Sequence, residues 1–288
     1  MFNAASRISL LSFVAAVALS VASCGDKAEV ERASALVSQA REALDAGSFD
    51  RVILLTDSVK NSCPRAIGQR REALHLAVRA KEGMTVRQLE RTDSLMAVLG
   101  VKADSLKQLV KFVENPVEGY YVAVGTNTAD VYNRTGLQAR MSPEGDFYII
   151  STLKGLSHNT VCVRVSGPAG MATTPAVGHD GERNDRSAGA EVITFIAAEC
   201  DSLGRMVALH PDDKMTLTFI SVSGKCHDVP LSKADASHIA TVYNYANVLR
   251  QGRLAAIERE RLGRALDISR SQAARTYVEP DSASAKKN

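Results

Sequence analysis

Five of the six histidines, His158, His179, His210, His227 and His238, stand in or near the β region and are side chains suited to proton transfer near neutral pH. Nothing in their spacing makes them converge. His179-Asp180 lies in a Gly- and Pro-rich stretch and Cys226-His227-Asp228 lies beside a turn signal, so both are expected at the surface. Cys226 and His227 are not expected to work as nucleophile and base, because adjacent strand residues point to opposite faces. Ser223-Gly224-Lys225 imitates the end of a phosphate loop but lacks its first glycine and following helix. No G-x-S-x-G elbow, H-E-x-x-H or EF-hand loop occurs. A glycosidase needs paired carboxylates in a cleft, usually flanked by aromatics, and this chain has no Trp and 5% aromatic residues. The expectation is no catalytic residue, no metal site and no cofactor.

Cys24 is the exception, because its neighbours suit a covalent modification. Arg7 supplies a positive n-region and Ile8 to Val21 an apolar run of signal-peptide length, too short to span a membrane. The order Val21-Ala22-Ser23-Cys24 resembles the bacterial lipoprotein lipobox. That resemblance implies cleavage before Cys24, a diacylglyceride on its thiol and a further acyl chain such as palmitate on its amine. Several acyl chains, at roughly 0.8 kcal/mol per buried CH₂, hold a protein on a bilayer without a spanning helix. Cys63, Cys162, Cys200 and Cys226 remain, in a compartment that permits disulfides. Four cysteines allow three connectivities, and both free thiols and a bond between two of the β-region cysteines stay open. No CxxC spacing points to zinc.

The 265 residues from Cys24 to Asn288 can bury a sizeable core, and 45% hydrophobic with 23% charged residues is a globular composition. A formal charge of +3 is too weak to argue for nucleic acid.

The elements follow from periodicity. From Ala28 to about Glu114 the period is helical. Ala40, Ala43 and Leu44 form one stripe, Gly47 ends that helix, Ser48 caps a second to about Asn61, and Pro64 opens a third carrying Ile67, Leu74 and Val78. A longer helix carries Val86, Leu89, Met96, Leu99, Leu106, Leu109 and Val113, with an interruption or a kink expected at Gly100. Past Asn115-Pro116 the period becomes two: Asp146 to Thr152, Thr160 to Val165, Glu191 to Ala197 and Met215 to Ser221 read as strands of a mostly antiparallel sheet. Met215, Leu217 and Phe219 should face a core, with Thr216 and Thr218 outward. Residues 166–189, rich in Gly, Pro, Asp and Arg, read as one long mobile loop. After Pro230, Ser232 caps a long helix to about Arg275, carrying Ile239, Val242, Tyr243, Ala246, Leu249, Leu254, Ile257, Leu262 and Leu266. Within Arg250 to Arg264, Glu258 and Glu260 interleave with arginines at helix-stabilising spacings, which reads as a solvated face rather than a lipid-binding one. The expected division is 1–23 leader, 24–116 helical region, 117–230 β domain, 231–275 closing helix and 276–288 disordered tail. The expected fold class is α+β, a sandwich- or barrel-like sheet with a C-terminal helix packing back on N-terminal helices.

The turn Ala43-Leu44-Asp45-Ala46-Gly47-Ser48-Phe49 between two helices resembles one tetratricopeptide (TPR) unit. Together with the lipobox, Leu89 to Met96, Ser151 to Val161, Val192 to Ile196 and the long closing helix, the chain resembles a group of exported lipoproteins of Bacteroidota-type bacteria. In that group a histidine pair stands just before the strand; here His158 is followed by Asn159. The resemblance implies an architecture and an address and brings no activity. The address it implies is a lipid anchor in the cell envelope, expected on the outer membrane. The TPR-like hairpin, helices longer than the sheet is wide and the lack of a catalytic set point instead to a protein that binds another protein without catalysis, with self-association through the long helices possible. The alternative is a small-molecule or glycan receptor or enzyme with a pocket bounded by residues 166–189.

Overall fold

The computed structural model describes residues 26–129 and 131–277. The expected leader, Cys24 and the tail beyond Tyr277 lie outside the described residues. The fold is α+β, about half helical, with antiparallel sheets and a C-terminal helix packed on the N-terminal helices.

Two compact units divide the chain. The helical unit holds the described residues up to Asp93 and those from Ile257 onward; the β-rich unit runs from Ser94 to Ala256. The division falls inside two helices rather than at Asn115-Pro116, because each half of those helices packs on different neighbours.

The helical unit contains α1 (26–45), α2 (Phe49–Ser62) and the first part of α3 (Ile67–Lys107), with the last part of α5 (Lys233–Thr276). Small residues let these helices approach: Ala33, Ala40, Ala43, Ala66, Ala73 and Ala80 are buried with Val37, Val52, Val59 and Cys63 in one cluster. Gly83 serves the same end, since a Cβ there would lie 2.2 Å from the Phe49 ring. Arg87 stacks its guanidinium 4.4 Å from the same ring. α3 and α5 run antiparallel: Asp93 pairs with Arg259 at 2.6 Å, Glu82 with Arg270 at 3.6 Å, and His75 Nδ1 lies 3.2 Å from Thr276 Oγ1.

The β-rich unit contains a six-stranded sheet in the order β1-β2-β3-β4-β8-β7 and a four-stranded one in the order β10-β9-β5-β6. The strands are β1 Val110–Val113, β2 Tyr120–Ala123, β3 Gly136–Met141, β4 Phe147–Lys154, β5 Thr160–Gly167, β6 Gly170–Thr173, β7 Asn184–Ser187, β8 Ala190–Ile196, β9 Thr216–Ser221 and β10 Cys226–Pro230. Between β8 and β9 lies α4, Ala198–Leu209. One apolar cluster joins both sheets to the helices: Ile149 and Phe195 from the larger, Val163 and Phe219 from the smaller, Leu203 from α4 and Ile239 from α5. Alternation places these side chains inward, and burying each contributes roughly 1.5–3 kcal/mol.

Several expectations are corrected. The helix expected to reach Glu114 stops at Lys107, and Val110–Val113 pairs as a strand with Tyr120–Ala123. Backbone pairing to β2 and burial of Val110 override a spacing that also suits a helix. Gly100 does not interrupt α3, which runs from Ile67 to Lys107. Residues 166–189 are largely built structure: β5 turns into β6 through Pro168-Ala169, Val177 is buried, and β7 pairs with β8. Asp180 Oδ1 accepts the backbone N–H groups of Glu182 and Asn184, each at 2.9 Å, and Asn184 Nδ2 donates to the Val177 and Thr160 carbonyls. Polar side chains thus supply the order that apolar ones would otherwise give. Thr218 is buried although it faces away from the core, flanked across the sheet by Arg164 and Asp228. Leu254 and Ile257 are exposed, as are Ile67 and Leu74.

Candidate functional site

The histidines scatter, and each has a local role. His158 Nε2 lies 3.1 Å from the carbonyl oxygens of both Phe219 and Lys225, so it carries the proton and donates. His179 Nδ1 lies 2.7 Å from the Asn184 carbonyl, and His210 lies 3.8 Å from Asp213. His227 shares a row with Phe219, while Cys226 shares one with Ile220 on the other face. Ser223-Gly224-Lys225 closes the β9–β10 hairpin, with Gly224 at φ +79° and the Ser221 N–H donating to the Lys225 carbonyl at 2.9 Å.

Thr126, His238 and Asp235 come nearest to a hydrolytic set. Thr126 Oγ1 is 3.3 Å from His238 Nδ1, and burial holds that imidazole below its ordinary 6.5, partly offset by Asp235. The triad geometry is nevertheless missing. Asp235 Oδ2 accepts from Arg134 at 2.8 Å and from the Leu137 N–H at 3.3 Å, which locks the carboxylate to β3. Among the described residues no group of three or more His, Cys, Asp or Glu side chains could hold a metal ion. Cys63, Cys162, Cys200 and Cys226 are free thiols. The arginines between 250 and 264 are tied to carboxylates, Arg250 to Asp201 and Arg259 to Asp93 as well as Arg261 to Glu258.

The helical unit carries a different kind of site, a concave groove of about 500 Å³ between α2 and α3. Its floor is made by small residues, Thr56 on α2 and Ala73 and Ala77 on α3. The Thr56 hydroxyl donates to the Val52 and Ile53 carbonyls of its own helix, at 2.9 and 3.0 Å. It therefore presents no unmet polar demand to an occupant. Ile67 and Leu74 wall the groove and are 63% and 55% exposed. Covering such a side chain contributes roughly 1.5–3 kcal/mol, so this surface gains by being covered. Lys60, Arg70, Arg71 and Lys81 ring it against the single carboxylate of Asp57.

A second concavity, about 440 Å³, lies in the β-rich unit between α4 and α5. Arg205, Ser202, Tyr243, Asn247 and Arg250 line it. Arg250 donates to Asp201 at 2.8 Å and to Asn247 at 3.1 Å, and burial with Asp201 nearby raises the Tyr243 phenol above its ordinary 10.0. Neither concavity is lined by residues 166–189.

No family model, curated protein or solved structure matches the chain.

Ile67, Leu74 and Val78 are the apolar residues that the sequence puts on the third helix. The packing side of α3 is instead Ala73, Leu76 and Ala80, following the buried Ala66, and only Val78 of the three is buried. The overlooked signal was the small-residue face: alanines set the packing side, which leaves the larger residues on an adjacent face flanked by Arg70, Arg71 and Lys81.

Proposed function

We propose that this protein is a lipid-anchored component of a bacterial cell envelope, outer-membrane in location, whose helical unit binds another protein without catalysing a reaction. The observation that carries the reading is the groove between α2 and α3, where exposed Ile67 and Leu74 stand inside a basic rim. The Val21-Ala22-Ser23-Cys24 order supports the anchor. No helix among the described residues is long and apolar enough to cross a membrane. A tether at Cys24 would lie two residues before Asp26, the first described residue of α1, keeping the helical unit close to the bilayer surface.

Crosslinking in living cells tests the role, with mass spectrometry of what co-purifies with the tagged wild-type protein. Cys24→Ala is the control and should be unprocessed or soluble. A reproducible protein partner joined through the helical unit supports the reading, and recovery of lipid alone overturns it. A second reading, a receptor for a small polar molecule, draws on the arginine-lined concavity between α4 and α5. Equilibrium dialysis against carboxylated and phosphorylated metabolites, compared with Arg205→Ala, tests that one.

A further inference from the structure

The groove is selective in charge as well as apolar. Among the described residues, Lys60, Arg70, Arg71 and Lys81 take part in no ion pair. Several other cations of the same unit are matched: Arg41 pairs with Glu72, Arg65 with Asp26 and Arg79 with Glu82. Arg70 makes one bond, to the Pro64 carbonyl at 3.2 Å, which leaves its charge uncompensated. Four unmatched cations around one carboxylate create a local positive field, concentrated where apolar side chains are already exposed.

The shape sets the rest. Ile67, Arg70, Arg71, Leu74 and Lys81 recur at threes, fours and sevens along α3, so the groove follows the helix axis. From Ile67 to Lys81, roughly 1.5 Å per residue gives a trough about 21 Å long. That suits a helix of about four turns, laid in with an apolar i, i+3, i+4, i+7 stripe. A flat bilayer would meet the rim charges but could not reach the floor at Ala73 and Ala77.

We propose that the α2–α3 groove is a docking site for an amphipathic helix of a partner protein, its apolar stripe covering Ile67 and Leu74 and its flanking Asp and Glu residues facing Lys60, Arg70, Arg71 and Lys81. The proposal rests on the protein-binding role argued above and specifies the partner's chemistry. Complementary charge governs how fast and how selectively such a helix docks, and buried leucines govern how long it stays.

Two fluorescent peptides of about fourteen residues test it, sharing one leucine stripe at helical spacing. One is flanked by Glu and its twin by Lys. Anisotropy is read against residues 24–288 carrying Cys24→Ser, at low ionic strength. The Glu peptide is expected to bind at least about tenfold more tightly than the Lys peptide, with the difference shrinking as salt is added. Leu74→Asp should abolish binding, and Arg70→Glu with Arg71→Glu should reverse the preference. These positions are exposed, and circular dichroism checks that each variant keeps its helices. Equal binding of the twins, binding of neither, or Glu-peptide binding undisturbed by the variants overturns the proposal. So does capture by phosphatidylglycerol vesicles in place of the peptides, which would make the rim a lipid-facing surface. A partner crosslinked in cells through another face, with both peptides unbound, overturns the groove while leaving the protein-binding role intact.

Discussion

Glu191 Oε2 accepts the backbone N–H of Thr160 at 2.8 Å, which joins β8 of the six-stranded sheet to the start of β5 in the four-stranded sheet. Its other oxygen accepts the N–H groups of His158 and Asn159, each at 2.7 Å, and the residue is 4% exposed. Asn159 sits at φ +59°, a conformation asparagine tolerates, which helps turn three successive amides toward one carboxylate. Burial by itself raises the carboxyl's pKa, and the hydrogen bonds from Thr160, Asn159 and His158 outweigh it, so the group lies below its ordinary 4.5.

A carboxyl whose pKa is lower folded than unfolded stabilises the fold above the unfolded value and loses that contribution as pH falls through the folded one. Urea unfolding of the wild type should therefore show stability declining as pH drops below about 4.5. Glu191→Gln should cost about 3 kcal/mol at neutral pH, because the amide presents a donor to buried donors. It should also flatten the acid limb. An acid limb unchanged by the substitution would remove Glu191 as its source.

Two helical glycines should respond to alanine with opposite signs. A Cβ on Gly204 in α4 would lie 2.5 Å from the Tyr243 ring and 2.6 Å from the Phe147 ring, whose centroids stand 5.2 Å apart edge to face. Gly204→Ala should destabilise by about 1–3 kcal/mol through overpacking. Gly100 in α3 is exposed with nothing within 4 Å of that position, so Gly100→Ala should stabilise by about 1 kcal/mol. Thermal melts of the two variants read both signs at once, and a common sign would refute the packing account.

The same two glycines explain part of what was legible. Gly100 reads as a breaker, yet α3 continues through it as α4 does through Gly204, since the helix tolerates a cost near 1 kcal/mol when flanking residues such as Leu99 and Leu203 are buried. α4 also lacks a polar residue at its start: Ala197 occupies the N-cap without a side-chain bond, and Glu199 reaches back to the Ile196 N–H at 2.9 Å instead. Its spacing of Cys200, Leu203 and Val207 was helical all along. Strands with strict alternation, such as the one holding Leu217 and Phe219, were plain because period two is unambiguous there. The groove was hidden for a different reason. Periodicity identifies an apolar stripe without saying whether it meets a neighbour, and on α3 the alanines meet it while Ile67 and Leu74 do not.

The hairpin between β7 and β8 escaped notice because its turn uses Ala188-Gly189 at φ +52° and +70°. Two positive φ values in a two-residue loop favour asparagine followed by glycine, and alanine is strained at the first. Ala188 is exposed and offers only its carbonyl, to Lys154 Nζ at 2.8 Å. Ala188→Asn should therefore raise stability by about 0.5 kcal/mol, seen as a higher urea midpoint at unchanged slope. A lower midpoint would show that the turn is of another type.

The four described cysteines should separate by reactivity. Burial pushes the Cys200 thiol up to about 12, so near pH 8 about one molecule in ten thousand carries the thiolate. Cys162 is raised too, by burial and then by Cys226 nearby, while Cys226 is exposed. Alkylation followed by mass spectrometry should mark Cys226 first and Cys200 only after unfolding. Cys162 and Cys226 each stand opposite Ile220, on either side of β9. Two strand spacings put their backbones about 9–10 Å apart, beyond the reach of about 7 Å that a disulfide allows. Mild oxidation should leave both as thiols or join Cys226 to a second molecule. An intramolecular Cys162–Cys226 bond in the folded protein would require β9 to leave the sheet, and finding one would refute the register.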